Sequence, residues 1–179
     1  MRGAERAGVN LLQEQFWKEF WRLKVQAKYI DLHLARTETA DRGLKIALAV
    51  TSSASIGSWA LWKEYAFVWA TAIAVSQVIA AVRPFLPYKD RLRSLAGLLG
   101  DLEEQAVQVE DKWLRISAGD LTEDEIRKAL SDLRTKRNKA FNKHFPSTHL
   151  PERASLLRRA EDCVQSYFDH LYPTSFAKG

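Results

Sequence analysis

The stretch IALAVTSSASIGSWALW, residues 46–62, is separated by only two residues from YAFVWATAIAVSQVIAAV, residues 65–82. Neither stretch contains a charged residue, whereas a helix on the surface of a soluble protein normally has a charged face. At ~1.5 Å per residue each stretch reaches about 25–27 Å, the low end of what crosses a bilayer. We therefore predict a two-helix transmembrane hairpin over residues 44–82. The alternative is a buried central hairpin in a soluble helical bundle.

The residues around this pair predict its orientation. Four aromatic residues surround the short break, where side chains at the headgroup level are often aromatic: Trp59, Trp62, Tyr65 and Trp69. Basic residues lie outside the pair on both sides: Arg36, Arg42, Lys45, Arg83, Lys89, Arg91 and Arg93. By the positive-inside rule both termini are cytoplasmic, and the turn at Lys63 and Glu64 lies on the far side of the membrane.

Composition agrees with a small membrane module. The 179 residues carry a net charge of +5, which suits the inner face of a membrane or an anionic ligand. The single cysteine, Cys163, excludes an internal disulfide framework. No cleavable signal peptide is visible, so we expect the hairpin itself to target the chain.

The motifs of common enzyme classes are missing from the sequence. There is no glycine-rich phosphate loop, HExxH, CxxC or GxSxG motif, and the four histidines are scattered. We therefore predict no enzymatic activity, no metal site and no cofactor.

Residues 1–43 are predicted to form an amphipathic cytosolic helix. Its apolar residues recur at steps of three and four: Leu12, Phe16, Phe20, Leu23, Ala27, Ile30 and Leu34. The helix either packs against other cytosolic helices or lies on the membrane surface, and its mixed charges favour packing. Gly43 is expected to end the polar linker at the end of this region, before the first span begins. No stretch alternates with the period of a strand, so the fold class is all-α.

Residues 83–179 are predicted to form a cytosolic region with helices at 88–116, 122–145 and 151–172. The first has a 3.5-residue apolar period: Leu92, Leu95, Leu99, Leu102, Ala106, Val109, Trp113 and Ile116. Leu98, Val107 and Leu114 are expected to broaden this stripe. It could pack on helices of the same chain or meet its copies around an axis. Thr122 and Glu125 predict a capping box at the start of the second helix.

Basic residues are concentrated between positions 134 and 159: Arg134, Lys136, Arg137, Lys139, Lys143, Arg153, Arg158 and Arg159. They could form a solvated face paired with the acidic helix that precedes them. Alternatively they form a phosphate-binding surface, because arginine presents a planar fork suited to phosphate oxygens.

Hydroxyl groups lie on one face of the first predicted span, at Thr51, Ser55 and Ser58 with Ser52 beside them. Small residues and one amide form a stripe on the second: Ala66, Ala70, Ala74, Gln77 and Ala81. Both features suit helix–helix packing. Two spans cannot enclose a pore, so a conduit needs several copies, a tetramer or larger, with the four hydroxyl residues facing the axis.

This order of elements, an amphipathic helix, a tight two-span hairpin and a helical cytosolic tail, resembles the SLATT family. The resemblance is one of architecture and covers most of the chain. It implies a homo-oligomeric channel in the bacterial inner membrane that acts in antiphage defence by disrupting that membrane. It also implies control by a nucleotide or short oligonucleotide, made by a companion nucleotidyltransferase and bound by the basic residues 134–159.

The expected function is therefore a nucleotide-gated pore. A membrane-anchored scaffold is the alternative, in which the hairpin only tethers the chain. Its apolar-striped helix and basic tail would then recruit a protein partner or anionic lipid.

Overall fold

The computed structural model describes residues 2–54, 66–82, 88–146 and 152–172, and every regular element within these ranges is a helix. The helices are α1 (Arg2–Ala54), α2 (Ala66–Val82), α3 (Tyr88–Ala118), α4 (Glu123–His144) and α5 (Ala154–Leu171). The all-α prediction is confirmed. The three helices predicted after residue 83 are present with nearly the expected bounds.

The chain divides into two compact units. One, the bundle unit, comprises Met1–Leu34 and Ser94–Gly179, and the other, the central unit, comprises Ala35–Arg93. These limits differ from the predicted ones, because the first part of α1 belongs with the C-terminal helices.

The predicted end of the first helix at Gly43 is wrong, since α1 continues to Ala54. A glycine costs a helix only about 1 kcal/mol relative to alanine. Here the Lys45 Nζ lies 2.5 Å from a carboxylate oxygen of Asp41, an i,i+4 ion pair that supports the helix across this position.

Aromatic side chains of α1 form the centre of the bundle core. Phe16 and Phe20 are fully buried, and the Phe16 ring stacks on Trp113 of α3 with ring centroids 6.3 Å apart. Trp17 lies between two helices, with its ring centroid 4.8 Å from Trp113 and 4.7 Å from Phe168 of α5. Packing against other helices, rather than attachment to a membrane surface, is therefore the role of this part of α1.

The apolar stripe of α3 is buried within the same chain. Six of its members are in the core: Leu95, Leu102, Ala106, Val109, Trp113 and Ile116. Leu98 is also buried, as its place beside the stripe predicts, but Val107 and Leu114 are exposed, so for these two the prediction is wrong. These six buried side chains are covered within one chain and are not available to contact other copies, whereas Leu92 and Leu99 are half-buried.

The turn into α4 follows its predicted chemistry. Gly119 adopts a φ of +81°, a conformation that glycine adopts without a Cβ clash, and its N–H donates to the Ile116 carbonyl. Thr122 and Glu125 then form the predicted capping box, each side chain accepting a hydrogen bond from the other residue's backbone N–H. This turn reverses the chain so that α4 packs back along α3.

A close approach of α3 and α4 depends on Gly97. A Cβ at this position would lie 2.5 Å from Cε1 of His144, so only glycine leaves room for the imidazole against α3. The ring is held there by Asp101, whose carboxylate oxygen is 3.0 Å from His144 Nε2. Gly100, one turn along, has open space around its Cα.

We expect Gly97→Ala and Gly100→Ala to act differently on stability. Gly100→Ala should raise the free energy of unfolding by up to about 1 kcal/mol through helix propensity. Gly97→Ala should be about 1 to 2 kcal/mol less stable than Gly100→Ala, because the methyl group displaces His144 from Asp101. Urea titrations measure both. In a His144→Ala background the two substitutions should become equivalent, and a persistent difference would contradict the steric explanation.

Candidate functional site

All eight basic residues of the predicted phosphate-binding surface lie in the bundle unit. Five are on α4, Arg153 is the N-cap residue of α5, and Arg158 and Arg159 are on its second turn. The structure does not leave them equally available to a ligand. Several are already engaged by acids or amides of other helices.

Two of the arginines neutralise a buried carboxylate. Glu19 of α1 accepts hydrogen bonds from Arg137 Nη1 at 2.7 Å and Arg134 Nε at 2.9 Å. The Glu19 side chain is only 8% exposed, and that of Arg137 only 13%. Because a charge inside a protein needs a partner, these arginines hold α4 on α1. Little of the Arg137 side chain is left exposed by this contact, whereas the Arg134 side chain is 52% exposed.

The charges around Glu19 affect its ionisation. Burial alone would raise its pKa, but the hydrogen bonds and positive charges of Arg137 and Arg134 outweigh burial and lower the pKa below its ordinary value of 4.5. Glu19 therefore stays ionised into the acid range, and its charge contributes to folding at neutral pH.

Two further basic residues of α4 pair with α3. Lys143 Nζ lies 3.0 Å from a carboxylate oxygen of Asp101, and the same carboxylate contacts His144. The hydrogen bonds from Lys143 and His144 lower the pKa of Asp101. Lys136 donates to Gln108 Oε1 at 3.0 Å. These contacts match the alternative prediction, in which basic residues pair with the preceding acidic helix.

Four exposed basic side chains make no ion pair or hydrogen bond within the ranges that the structure describes: Lys139, Arg153, Arg158 and Arg159. They occupy the end of α4 and the start of α5. These two helix ends are close together, since Phe141 and Leu157 line one cavity of about 250 Å³ with Tyr29 of α1. We call these four residues the basic surface; they are the exposed members of the predicted site whose side chains are not already paired within the described ranges.

The sequence did not predict a second polar cluster, which links α1, α3 and α5. Glu110 of α3 lies 2.9 Å from Lys24 Nζ and accepts hydrogen bonds from the hydroxyls of Tyr167 and Tyr172. Lys24 also lies 4.6 Å from the ring centroid of Tyr167, within cation–π range. Burial and the charge of Glu110 raise the pKa of Tyr172 to about 12, so its hydroxyl remains a donor. Through these contacts the cluster links α1, α3 and the C-terminal end of α5.

The central unit differs from the bundle unit because large apolar side chains of α2 are exposed. None of the described side chains of α2 is buried, although the helix contains no charged residue. Phe67 is 84% exposed and Val78 is 62% exposed. Ala74, Gln77 and Ala81 of the small-residue stripe are exposed as well. Among the described side chains of α2, most are therefore exposed, and Ser76 and Ile79 are half-buried.

The predicted spans are only partly described. Thr51 and Ser52 belong to the last turn of α1, whereas Ser55 and Ser58 lie outside the described residues, as does the turn at Lys63 and Glu64. Among the residues described, no helix combines the length and the apolar character expected of a membrane span.

Comparisons with protein families, with curated proteins and with solved structures gave no match to this chain.

We expect Glu19→Gln to lower the free energy of unfolding by about 3 kcal/mol at pH 7, because two guanidinium groups lose their buried partner. The pKa of Glu19 is lowered in the folded state, so its contribution is present above about pH 4.5 and disappears as the pH falls through the folded pKa. The decline in stability from about pH 5 to pH 3 should therefore be shallower in the variant.

Glu14→Gln is the matched control for this experiment. Glu14 pairs with Lys18 on the same exposed helix face, so its loss should cost less than about 1 kcal/mol. Equal effects of the two substitutions in chemical unfolding would contradict the structural role assigned to Glu19.

Proposed function

We propose that the protein is a homo-oligomeric membrane channel, a pore-forming effector of bacterial antiphage defence that a nucleotide or short oligonucleotide controls. In this proposal residues 44–82 cross the bacterial inner membrane twice with both termini in the cytoplasm. The observation that carries it is the exposure of α2, an uncharged helix with no buried side chain among those described.

The exposed apolar surface of α2 is unfavourable in water. Each square ångström of apolar surface left in water costs about 25 cal/mol, and large exposed apolar patches mark sites of membrane or protein contact. The 17 residues of α2 reach about 25 Å at ~1.5 Å per residue. Lipid and neighbouring copies would cover this surface. The four hydroxyl residues, Thr51, Ser52, Ser55 and Ser58, would then face a water-filled axis.

In this proposal the bundle unit and the central unit have different roles in contacts between copies. Six members of the α3 stripe are buried within one chain, although Val107 and Leu114 of the same helix are exposed. In this proposal the contacts between copies come mainly from the central unit. The proposal of a coiled coil formed by α3 is not retained.

The proposed ligand would bind at the basic surface. Arg137 is left out of this proposal because its side chain is buried against Glu19, whereas Arg134 and Lys143 are left out because they already pair with Glu19 and Asp101. Lys139, Arg153, Arg158 and Arg159 keep exposed side chains that could contact phosphate oxygens. The resemblance to SLATT proteins supports a nucleotide as the source of that phosphate.

Ion flux through proteoliposomes tests the channel. We expect wild-type protein to release a trapped ion, and Thr51→Leu with Ser55→Leu to reduce the flux at least tenfold, because leucine removes the hydroxyls that would hydrate the axis. Absence of flux from wild-type protein with and without ligand would contradict the channel and favour the membrane-anchored scaffold.

Binding of a fluorescently labelled trinucleotide tests the ligand surface. Lys139→Glu with Arg158→Glu should abolish binding, because each substitution replaces a favourable phosphate contact with repulsion. Lys128→Glu with Arg115→Glu changes the net charge equally outside residues 134–159 and should leave most of the binding intact. Equal losses in the two double variants would indicate a general effect of charge rather than a site.

A further inference from the structure

One amide in α2 makes no hydrogen bond to any residue that the structure describes. The helix has only three residues with hydroxyl or amide side chains, Thr71, Ser76 and Gln77. The Thr71 hydroxyl donates to the Phe67 carbonyl at 2.9 Å, so its donor is satisfied within the helix. Gln77 is exposed and makes no hydrogen bond within the described ranges.

The chemistry of a primary amide makes this exposure significant. The Gln77 side chain offers two N–H donors and an acceptor oxygen, and hydrocarbon can satisfy none of them. An exposed glutamine on a soluble helix would simply be hydrated. On an otherwise apolar helix in a bilayer, it needs a partner from another protein segment.

We infer that Gln77 is the residue through which α2 meets its counterpart in a neighbouring copy, amide to amide. This inference rests on the proposed membrane function. An amide is complementary to itself, so under rotational symmetry each side chain donates to the next copy and accepts from the previous one. The hydrogen bonds then form a closed ring, and they align the copies at the depth of residue 77.

The residues next to Gln77 on the helix surface suit this pairing. Ala74 and Ala81 lie three residues before it and four after it, on the same face, and both are exposed. Small residues at these positions let two helix backbones approach closely, which a hydrogen bond between short amide arms requires. Val75 is on the opposite face and is exposed to 53%, a surface better suited to lipid.

Disulfide cross-linking tests which face meets the neighbouring copy. The native cysteine is first removed by Cys163→Ser, and Gln77→Cys and Val75→Cys are then compared in micelles and in liposomes. Gln77→Cys should give cross-linked dimers severalfold faster than Val75→Cys. Equal rates, faster cross-linking through position 75, or a protein that is monomeric in both environments would overturn the inference.

Self-association measured by energy transfer between labelled copies tests the amide itself. Gln77→Leu should raise the dissociation constant by about threefold to tenfold for each amide hydrogen bond that the substitution removes. Gln77→Asn keeps an amide and should recover most of that affinity. Unchanged association of Gln77→Leu would overturn the inference, even if the protein conducts ions. Conversely, association through position 77 without any ion flux would support the amide pairing and contradict the channel.

Discussion

Apolar surface that a chain does not bury by itself is stabilised when lipid or another molecule removes it from water. The exposed apolar side chains of α2 are the part of this protein to which that constraint applies. The helix has no charged residue, and none of its described side chains is buried. The bundle unit contrasts with it, because Phe16, Phe20 and Trp113 are enclosed and its buried acid is paired. The proposed division into a membrane-embedded central unit and an aqueous bundle follows from this difference.

The use of charge within the bundle narrows the possible ligand site. Glu19 forms ion pairs with Arg134 and Arg137, and Asp101 forms one with Lys143. Several of the basic residues between positions 134 and 159 therefore stabilise the packing of the helices. Arg137, whose side chain is only 13% exposed, could bind phosphate only by leaving the buried Glu19 carboxylate, which would cost several kcal/mol. The residues left for an anion are at the junction of α4 and α5. A binding event there would involve two helix ends rather than the length of α4.

Periodicity was sufficient to predict the all-α class and the helices after residue 88, because a stripe such as Leu95, Leu102 and Ile116 depends only on local spacing. It could not predict what the stripe packs against, since burial by α1 is a tertiary event. The ion-pair partners of the basic residues could not be predicted either, because Glu19 and Arg137 are 118 positions apart and no local pattern connects them. The predicted end of the first helix at Gly43 is wrong for a different reason. A single glycine is a weak helix breaker, and the neighbouring ion pair between Asp41 and Lys45 compensates for it.

Labelling with a membrane-impermeant maleimide on spheroplasts tests most directly whether residues 44–82 cross the membrane twice. With Cys163→Ser as background, we expect Lys63→Cys to react on intact spheroplasts, because the proposed topology places this turn outside the membrane. The native Cys163, which is exposed on α5, should react only after permeabilisation. A Lys63→Cys variant that reacts only after permeabilisation, or a protein recovered entirely in the supernatant after lysis, would contradict the proposed double crossing of the membrane.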